Sequence, residues 1–304
     1  MSFDTPLERD GAVIRGPLRS PKQMLADQVY DDHLSVHDES NAATLGLTGA
    51  PIEGPTHFSQ FDPIALDLFG DDWFRSGCIS SHFSTMVVEG EQVIAEATRT
   101  SDRSADITAT TPDGGTVLSG TISVAPHPET ALEQRLANAR PAGDLFIVDQ
   151  LFVGMTSSEG RMTSMDLTTG NGPLYPFSLQ QKLEGITERS PWYDSSDSPW
   201  GRPIVPMEML SVLANKVGDR MPVRQPSLGL FLDLEVCLVD GPVFLDTEYR
   251  VDREVVGLSQ SRRVESHWVR STLTDVETGV HAATMLLHSG VFKESYPGYP
   301  PDRL

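Results

Sequence analysis

Apolar and polar residues alternate strictly along two segments in the second half of the 304-residue chain. In LGLFLDLEVCL (228–238) every second residue is leucine or valine, and Asp233 and Glu235 stand between them. The segment VFLDTEYRV (243–251) repeats this pattern. Because successive side chains of a strand point to opposite faces of a sheet, a period of two predicts half-buried, antiparallel strands.

Weaker segments of the same kind occur in the first half. They are HFSTMVV (82–88), EQVIAEATRT (91–100), ADITATT (105–111) and TVLSGTISVA (116–125). Between the last two lies TPDGGT (111–116), whose Pro, Asp and paired Gly are typical of a hairpin turn. The first half is therefore also predicted to be rich in antiparallel strands.

Two segments have apolar residues at helical spacing instead. The first stripe consists of Phe58, Phe61, Ala65 and Leu68, and the second of Leu210, Leu213, Ala214 and Val217. Asp62-Pro63 interrupts the first stripe and is typical of a cap followed by a first-turn proline, so this helix is predicted to break there. Gly218 is expected to end the second helix.

The two helical segments belong to an internal repeat. TGAPIEGPTHFSQF (48–61) resembles WGRPIVPMEMLSVL (200–213): both contain Gly-x-Pro-Ile, followed by a serine at the same distance. Further on, VVEGEQV (87–93) resembles LVDGPVF (238–244) at nearly the same separation from that motif. The chain is therefore interpreted as two copies of one unit.

Each copy has a helix followed by several antiparallel strands, which is an α+β design. A helix can cover only one face of such a sheet, so the sheet is expected to curve around it. Residues 1–126 are predicted to form the first domain, 127–144 a proline-bounded linker with a short helix, and 145–304 the second domain.

The composition is that of a packed globular protein, with 38% hydrophobic and 22% charged residues. No apolar run has the length of about 18–20 residues that a membrane span requires. The N-terminal residues show neither the basic nor the apolar region of a signal peptide. The two cysteines, Cys78 and Cys237, are far apart and match no metal or redox spacing. We therefore expect a cytoplasmic protein with reduced cysteines.

The formal net charge of −20 argues against two classes of partner. Nucleic acids and anionic membrane surfaces are both negatively charged and would repel this chain. The charge also argues against a nucleotide ligand unless arginine side chains cluster locally.

The segment DDHLSVHDE (31–39) concentrates acidic residues and two histidines. A solvated surface loop is one interpretation, because such residues are usually exposed. A divalent-metal site is another, with His33, His37 and nearby carboxylates as ligands, although no recognised metal spacing is present. The third is a pair of acid–base groups.

This segment resembles the signature of the MaoC-like dehydratases and (R)-specific enoyl-CoA hydratases, Gly-Asp-x-Asn-Pro-aliphatic-His-x-acidic followed by Ala. The matching residues are Asp32, Val36, His37, Glu39 and Ala43. The departures are Asp31, Leu34 and Ser35 in place of Gly, Asn and Pro, and Glu53-Gly54 in place of a His-Gly pair. The motif covers about residues 30–54, and the order of elements matches over most of the chain.

The resemblance implies a fold and an activity. The fold would be two tandem hotdog domains, each a curved antiparallel sheet around a helix, forming a pseudo-dimer. The activity would be that of a hydro-lyase that adds or removes water at the 2,3 position of an acyl thioester of CoA or a carrier protein, without a cofactor or metal. Asp32 and His37 would be the catalytic acid–base pair. Tyr193 aligns with His37 in the second copy, which would therefore be non-catalytic.

The resemblance, together with the predicted start of the first helix, suggests which residues bind the substrate. Backbone N–H groups at the beginning of the helix, around Gly54, Pro55 and Thr56, could hold a developing enolate oxygen. His57, one turn into the helix, and Tyr193 in the second copy could line the acyl pocket.

Two other functions on the same fold remain open at this stage. A thioesterase would need a carboxylate to activate water, and Glu53, Asp62 or Glu208 could supply it. A non-catalytic acyl-binding protein would explain the departures from the signature. The sequence also leaves open whether the protein forms a homo-oligomer.

Overall fold

A computed structural model describes residues 2–30, 32–44, 46–157, 160–217 and 221–304. Asp31 of the acidic segment and Gly218, the predicted end of the second helix, lie outside the described residues. No helix in the described ranges is both long enough and apolar enough to cross a membrane.

The described part of the chain forms one eleven-stranded antiparallel sheet. The strands are β1 (Glu8–Asp10), β2 (Val13–Arg15), β3 (Gly77–Phe83), β4 (Ile94–Ser101), β5 (Ser104–Thr110), β6 (Thr116–Val124), β7 (Arg161–Thr163), β8 (Gly229–Leu238), β9 (Tyr249–Gln260), β10 (Val264–Asp275) and β11 (His281–Phe292). Their order is β1-β2-β4-β5-β6-β3-β8-β11-β10-β9-β7. Outward from the β3–β8 centre the two halves follow the same order, as expected for two copies of one unit.

The helices of the described residues are fewer and shorter. They are α1 (Glu39–Thr44), a 3₁₀ helix (Gly54–Phe61), α2 (Asp62–Phe69), α3 (Asp72–Ser76), α4 (Ala131–Ala137), α5 (Leu179–Gly185) and α6 (Met207–Asn215), with short 3₁₀ turns at Pro191–Tyr193, Lys293–Ser295 and Pro301–Arg303. The 3₁₀ helix and α6 contact each other between the two halves of the sheet.

The predicted break in the first helix is confirmed. The 3₁₀ helix ends at Phe61 and α2 begins at Asp62, with Pro63 in its first turn. Phe58, Phe61 and Ala65 are fully buried in the main core. The change from 3₁₀ to α geometry allows both segments to keep their apolar sides against the sheet.

The predicted linker helix is present as α4. Thr130 and Glu133 form a capping box at its start. Leu132 packs with Trp268 and Leu286 in a small cluster separate from the main core. The neighbours of Leu286 along β11 point into the main core, so α4 covers the opposite, outer face of the sheet.

Two strand predictions are wrong in extent. The chain leaves β3 at Phe83, so most of HFSTMVV (82–88) is not a strand. In VFLDTEYRV (243–251) the strand begins only at Tyr249. Here the chain turns at Asp246, which has a φ of 55°. The apolar residues of these segments are buried beside turns, where no continuous hydrogen bonding between strands occurs. Such burial produces the same alternation as a strand.

The expectation of two reduced cysteines is also wrong in this structure. The pairing of β3 with β8 places Cys78 directly opposite Cys237, and a disulfide joins them. The pair lies 159 residues apart in sequence. Only the order of strands in the assembled sheet brings the two residues together.

Candidate active site

A cavity of about 270 Å³ lies on the helix side of the sheet, where the two halves meet. The first half contributes His37, Glu53, Gly54 and His57 to its lining. The second half contributes mainly apolar groups of three neighbouring strands, including Leu230, Phe231, Val269, Leu287 and Val291. The cavity therefore has an apolar side, which suits an acyl chain, and a polar side built by the first half.

The local backbone fixes the orientation and tautomer of His37. Its Nδ1 lies 2.7 Å from the carbonyl oxygen of Pro51. A carbonyl oxygen can only accept, so Nδ1 carries the hydrogen and Nε2 is left with the lone pair. The hydroxyl of Ser35 accepts a hydrogen bond from the His37 backbone N–H at 3.1 Å and steadies the turn. Burial lowers the pKa of His37, opposed by the Pro51 hydrogen bond, so the ring is a neutral base at neutral pH.

Glu53 stands two residues after Pro51, at the N-cap of the 3₁₀ helix. It is only 8% exposed, yet it lines the cavity. Burial raises its pKa to about 7, with nearby Lys182 lowering and Glu208 raising the pKa. A carboxyl group with a pKa near neutrality can both donate and accept a proton, which is the property required of a general acid–base group.

Gly54 follows Glu53 and opens the helix. The Gly54 N–H lies before the first hydrogen bond of the helix. It therefore has no acceptor within the helix, like the other donors of a helix start. A Cβ atom at this position would lie 2.8 Å from the ring of Phe83. Only glycine fits here without moving that ring, and Gly54 is one of the residues that line the cavity.

His57 lies one turn into the same helix and is 2% exposed. Its Nδ1 accepts a hydrogen bond of 3.3 Å from the Nε2 amide of Gln60. Burial and the positive charge of Lys182 lower its pKa to about 4. His57 is therefore neutral, with its hydrogen on Nε2, and can donate to a ligand in the cavity.

A buried ion pair lies behind these groups. The Nζ of Lys182, on α5, is 3.0 Å from a carboxylate oxygen of Glu208 on α6, and it donates to the hydroxyl of Thr56 at 3.2 Å. Burial raises the pKa of Glu208 and the adjacent lysine lowers it. The ion pair joins the 3₁₀ helix to two helices of the second half. Lys182 lowers the pKa of both Glu53 and His57, and Glu208 raises that of Glu53.

The structure brings some of the sequence-predicted site residues together and not others. His37, Gly54 and His57 all line the cavity. Asp32 is exposed and is not among the described lining residues. Pro55 and Thr56 are buried but do not line the cavity either. The predicted pair of Asp32 with His37 therefore does not form at the cavity, because the loop turns the Asp32 side chain to the surface.

Tyr193 must be reassigned. It is fully buried in the core, away from the cavity lining, and its hydroxyl donates to Asp62 at 2.9 Å. Trp73 donates to the other oxygen of the same carboxyl at 2.9 Å. Burial raises the pKa of Asp62 to about 8 despite these two hydrogen bonds. Tyr193 and Asp62 form a buried pair between the halves, and this position gives no support to the expected contact of Tyr193 with substrate.

This assignment makes a stability prediction for Tyr193→Phe. The change leaves one oxygen of a buried carboxyl without its donor, and such a loss typically costs about 1–3 kcal/mol. We expect a lower midpoint in urea unfolding with unchanged turnover of an acyl substrate. Loss of turnover at unchanged stability would contradict the structural role.

Of the three carboxylates suggested for a thioesterase, only Glu53 lines the cavity. Asp62 is held by Trp73 and Tyr193. Glu208 is paired with Lys182. Nothing in the sequence marks Lys182 as a buried residue, because a lysine in a short capped helix is normally exposed. In the structure it is only 4% exposed.

Solved structures share this architecture over nearly the whole chain. A Chloroflexus aurantiacus J-10-fl protein described as a MaoC domain dehydratase is 12% identical, with 96% of this chain and 95% of that chain covered and a TM-score of 0.55. A Mycobacterium tuberculosis protein described as having a double hotdog fold is 13% identical, with 96% and 97% covered and a TM-score of 0.55. The dehydratase domain of PpsC from Mycobacterium tuberculosis, solved with C12:1-CoA, is 12% identical, with 96% and 98% covered and a TM-score of 0.48.

No protein-family model matches the sequence, and no curated protein matches it. The structural likeness establishes the fold. The chain is a double hotdog protein, an α+β fold of two tandem units with one continuous sheet, and it resembles the MaoC-like dehydratases in this architecture. The reaction has to be argued from the cavity.

Proposed function

We propose that the protein is a hydratase or dehydratase acting at the 2,3 position of an acyl thioester. The observation that carries the proposal is that a neutral, oriented His37, a buried Glu53 and Gly54, at the start of the 3₁₀ helix, all line one largely apolar cavity. These are the base, the acid and the oxyanion donor that addition of water to an enoyl thioester requires.

Each group has a defined step in hydration. Nε2 of His37 takes a proton from water, and the resulting hydroxide adds to C3 of the enoyl group. The electron pair of the double bond moves to the thioester oxygen, where the Gly54 N–H stabilises the negative charge. Glu53 then protonates C2 and recovers its proton from His37 through solvent. Dehydration is the reverse, with Glu53 as the base and His37 as the acid.

In this proposal Glu53 takes the role that the sequence motif suggested for Asp32. Glu53 and the Pro51 carbonyl that orients His37 belong to the same short segment, Pro51–Glu53, so the acid and the base are positioned by one piece of backbone. His57, with a hydrogen on Nε2, is placed to contact the substrate from the helix. The apolar lining from the second half receives the acyl chain.

The single variant Gly54→Ala tests the oxyanion assignment. The added methyl group would lie 2.8 Å from the Phe83 ring, so either that ring or the start of the helix must move. Loss of one such donor typically costs about 10²–10³-fold in kcat, and we expect an effect of this order. Gly170→Ala is the matched control, since a methyl group there meets nothing within 4 Å. Partial rescue by the additional change Phe83→Leu is expected, and full activity of Gly54→Ala would contradict the assignment.

The function itself is tested on a panel of short, branched and aromatic 2-enoyl-CoA esters and the corresponding pantetheine esters. Loss of the enoyl ultraviolet absorbance without release of free thiol is expected. Release of thiol would favour a thioesterase, for which Glu53 would be the carboxylate that activates water. Tight binding without turnover on the whole panel would favour an acyl-binding protein and would contradict the proposal.

A further inference from the structure

A second polar cluster lies on the outer face of the sheet, away from the cavity. Cys78 on β3 is opposite Cys237 on β8, and Glu235 points to the same face two residues earlier. The intervening Val236 points into the main core on the helix side. One sulfur from each cysteine and one carboxylate oxygen of Glu235 all lie within 4.8 Å of one another.

The carboxyl group of Glu235 is incompletely satisfied. It is 8% exposed, and among the described residues its Oε2 has no hydrogen-bond partner. An unpaired buried carboxylate oxygen is costly, and a bound cation would remove that cost.

There is room beside Glu235 for such a ligand. A pocket of about 390 Å³ opens between the start of α4 and the outer face of β8. Its charged and titratable lining residues in the described chain are His127, Glu129, Glu133, Glu235 and Arg270. Three carboxylates against one arginine give the pocket an acidic character, which favours a cation over an anion.

We propose that in the reduced protein Cys78, Glu235 and Cys237 bind one zinc ion. Two thiolates and a carboxylate are a ligand set that zinc accepts in a tetrahedral site, with Zn–S distances of about 2.3 Å. Glu235 and Cys237 both line the pocket, from which a water molecule would supply the fourth ligand. This assignment departs from the expectation of no metal site, which was drawn from sequence spacing alone.

The site is linked to the redox state of the cysteines. The structure holds them as a disulfide. A cellular dithiol reductant, or glutathione, supplies two electrons and two protons that break the S–S bond and give two thiols, and the reductant is oxidised to its own disulfide. Zinc binding then releases the two thiol protons to solvent. In a reducing compartment, such as the cytoplasm predicted from the sequence, the metal would replace the disulfide as the cross-link between β3 and β8.

Cobalt is the direct probe, because thiolate ligation of Co²⁺ gives a charge-transfer absorption that carboxylate ligation does not. The full-length protein, reduced with a phosphine that is then removed, is titrated anaerobically with Co²⁺ and afterwards with Zn²⁺. We expect one Co²⁺ per chain with the thiolate band, displacement of that band by Zn²⁺, and a zinc-dependent rise in Tm. The disulfide form of the same protein should show neither response.

Substitutions assign the ligands. Cys78→Ser should abolish the thiolate spectrum of the two-cysteine site. Glu235→Gln should weaken cobalt binding at least tenfold. The control Glu277→Gln, in an exposed turn, should leave cobalt binding unchanged. Absence of a thiolate band in the reduced wild type overturns the site, and unchanged affinity of Glu235→Gln overturns its third ligand. The comparison of reduced with disulfide wild type requires no substitution, so the test stands even where a variant does not fold.

Discussion

Replacing His37 with glutamine is expected to lower kcat/KM for a 2-enoyl thioester by about 10²–10⁴-fold, the usual contribution of a general base. Glutamine retains a polar side chain that can reach the Pro51 carbonyl, but it offers no basic nitrogen to the cavity. The rate of absorbance loss under subsaturating substrate measures the effect. The folded state should be preserved, since His37 belongs to a loop and not to the main core.

His281→Gln is the matched control for this variant. His281 is exposed at the start of β11 and does not line the cavity. Its replacement should leave the rate unchanged. A His37→Gln enzyme as active as the control would remove the base from the mechanism.

Replacing Glu53 with glutamine is expected to have an equally large effect, again about 10²–10⁴-fold on kcat. The change keeps the size and hydrogen-bonding capacity of the side chain and removes only its ability to transfer a proton. In hydration Glu53 must be protonated, and its pKa is raised to about 7. The wild-type hydration rate should therefore fall as the pH rises through about 7. Residual activity of Glu53→Gln should lack that limb.

Glu53→Gln is expected to raise stability although it lowers activity. The Glu53 carboxyl has a pKa of about 7 in the folded protein, compared with its ordinary value of 4.5 in the unfolded chain. Its contribution to stability is therefore fully present below pH 4.5 and is lost as the pH rises through about 7. Relative to wild type, Glu53→Gln should therefore gain stability between pH 4.5 and 7 and keep that gain above pH 7. Urea unfolding at pH 5 and pH 8 measures the difference. A variant that is inactive and also destabilised at pH 8 would have lost activity through folding and would not support a catalytic role.

Much of the architecture could be predicted because it rests on local patterns. The Gly-x-Pro-Ile repeat located the two central helices, and the Asp62-Pro63 pair located the break in the first one. Strict alternation identified β8, whose inward leucines pack against those helices. The strand predictions fail for residues 84–88 and 243–248, because burial in a turn and burial in a strand produce the same short pattern.

The site was predicted less completely because it depends on contacts between distant residues. His37 was recognised from its motif, but a motif does not show which neighbouring carboxylate faces the cavity. Asp32 turns to solvent, while Glu53, which replaces a histidine of the related signature, is buried beside the helix start. The burial of Lys182 and the pairing of Cys78 with Cys237 arise only when the two halves share one sheet.

The most direct test of the account compares Glu53→Gln with Asp32→Asn on the best substrate of the enoyl thioester panel. Both changes convert a carboxylate to an amide, and only Glu53 lines the cavity. We expect turnover close to wild type for Asp32→Asn and a loss of at least 100-fold for Glu53→Gln. The reverse result, with Asp32→Asn inactive and Glu53→Gln active, would contradict the assignment of the acid and would return the catalytic role to Asp32.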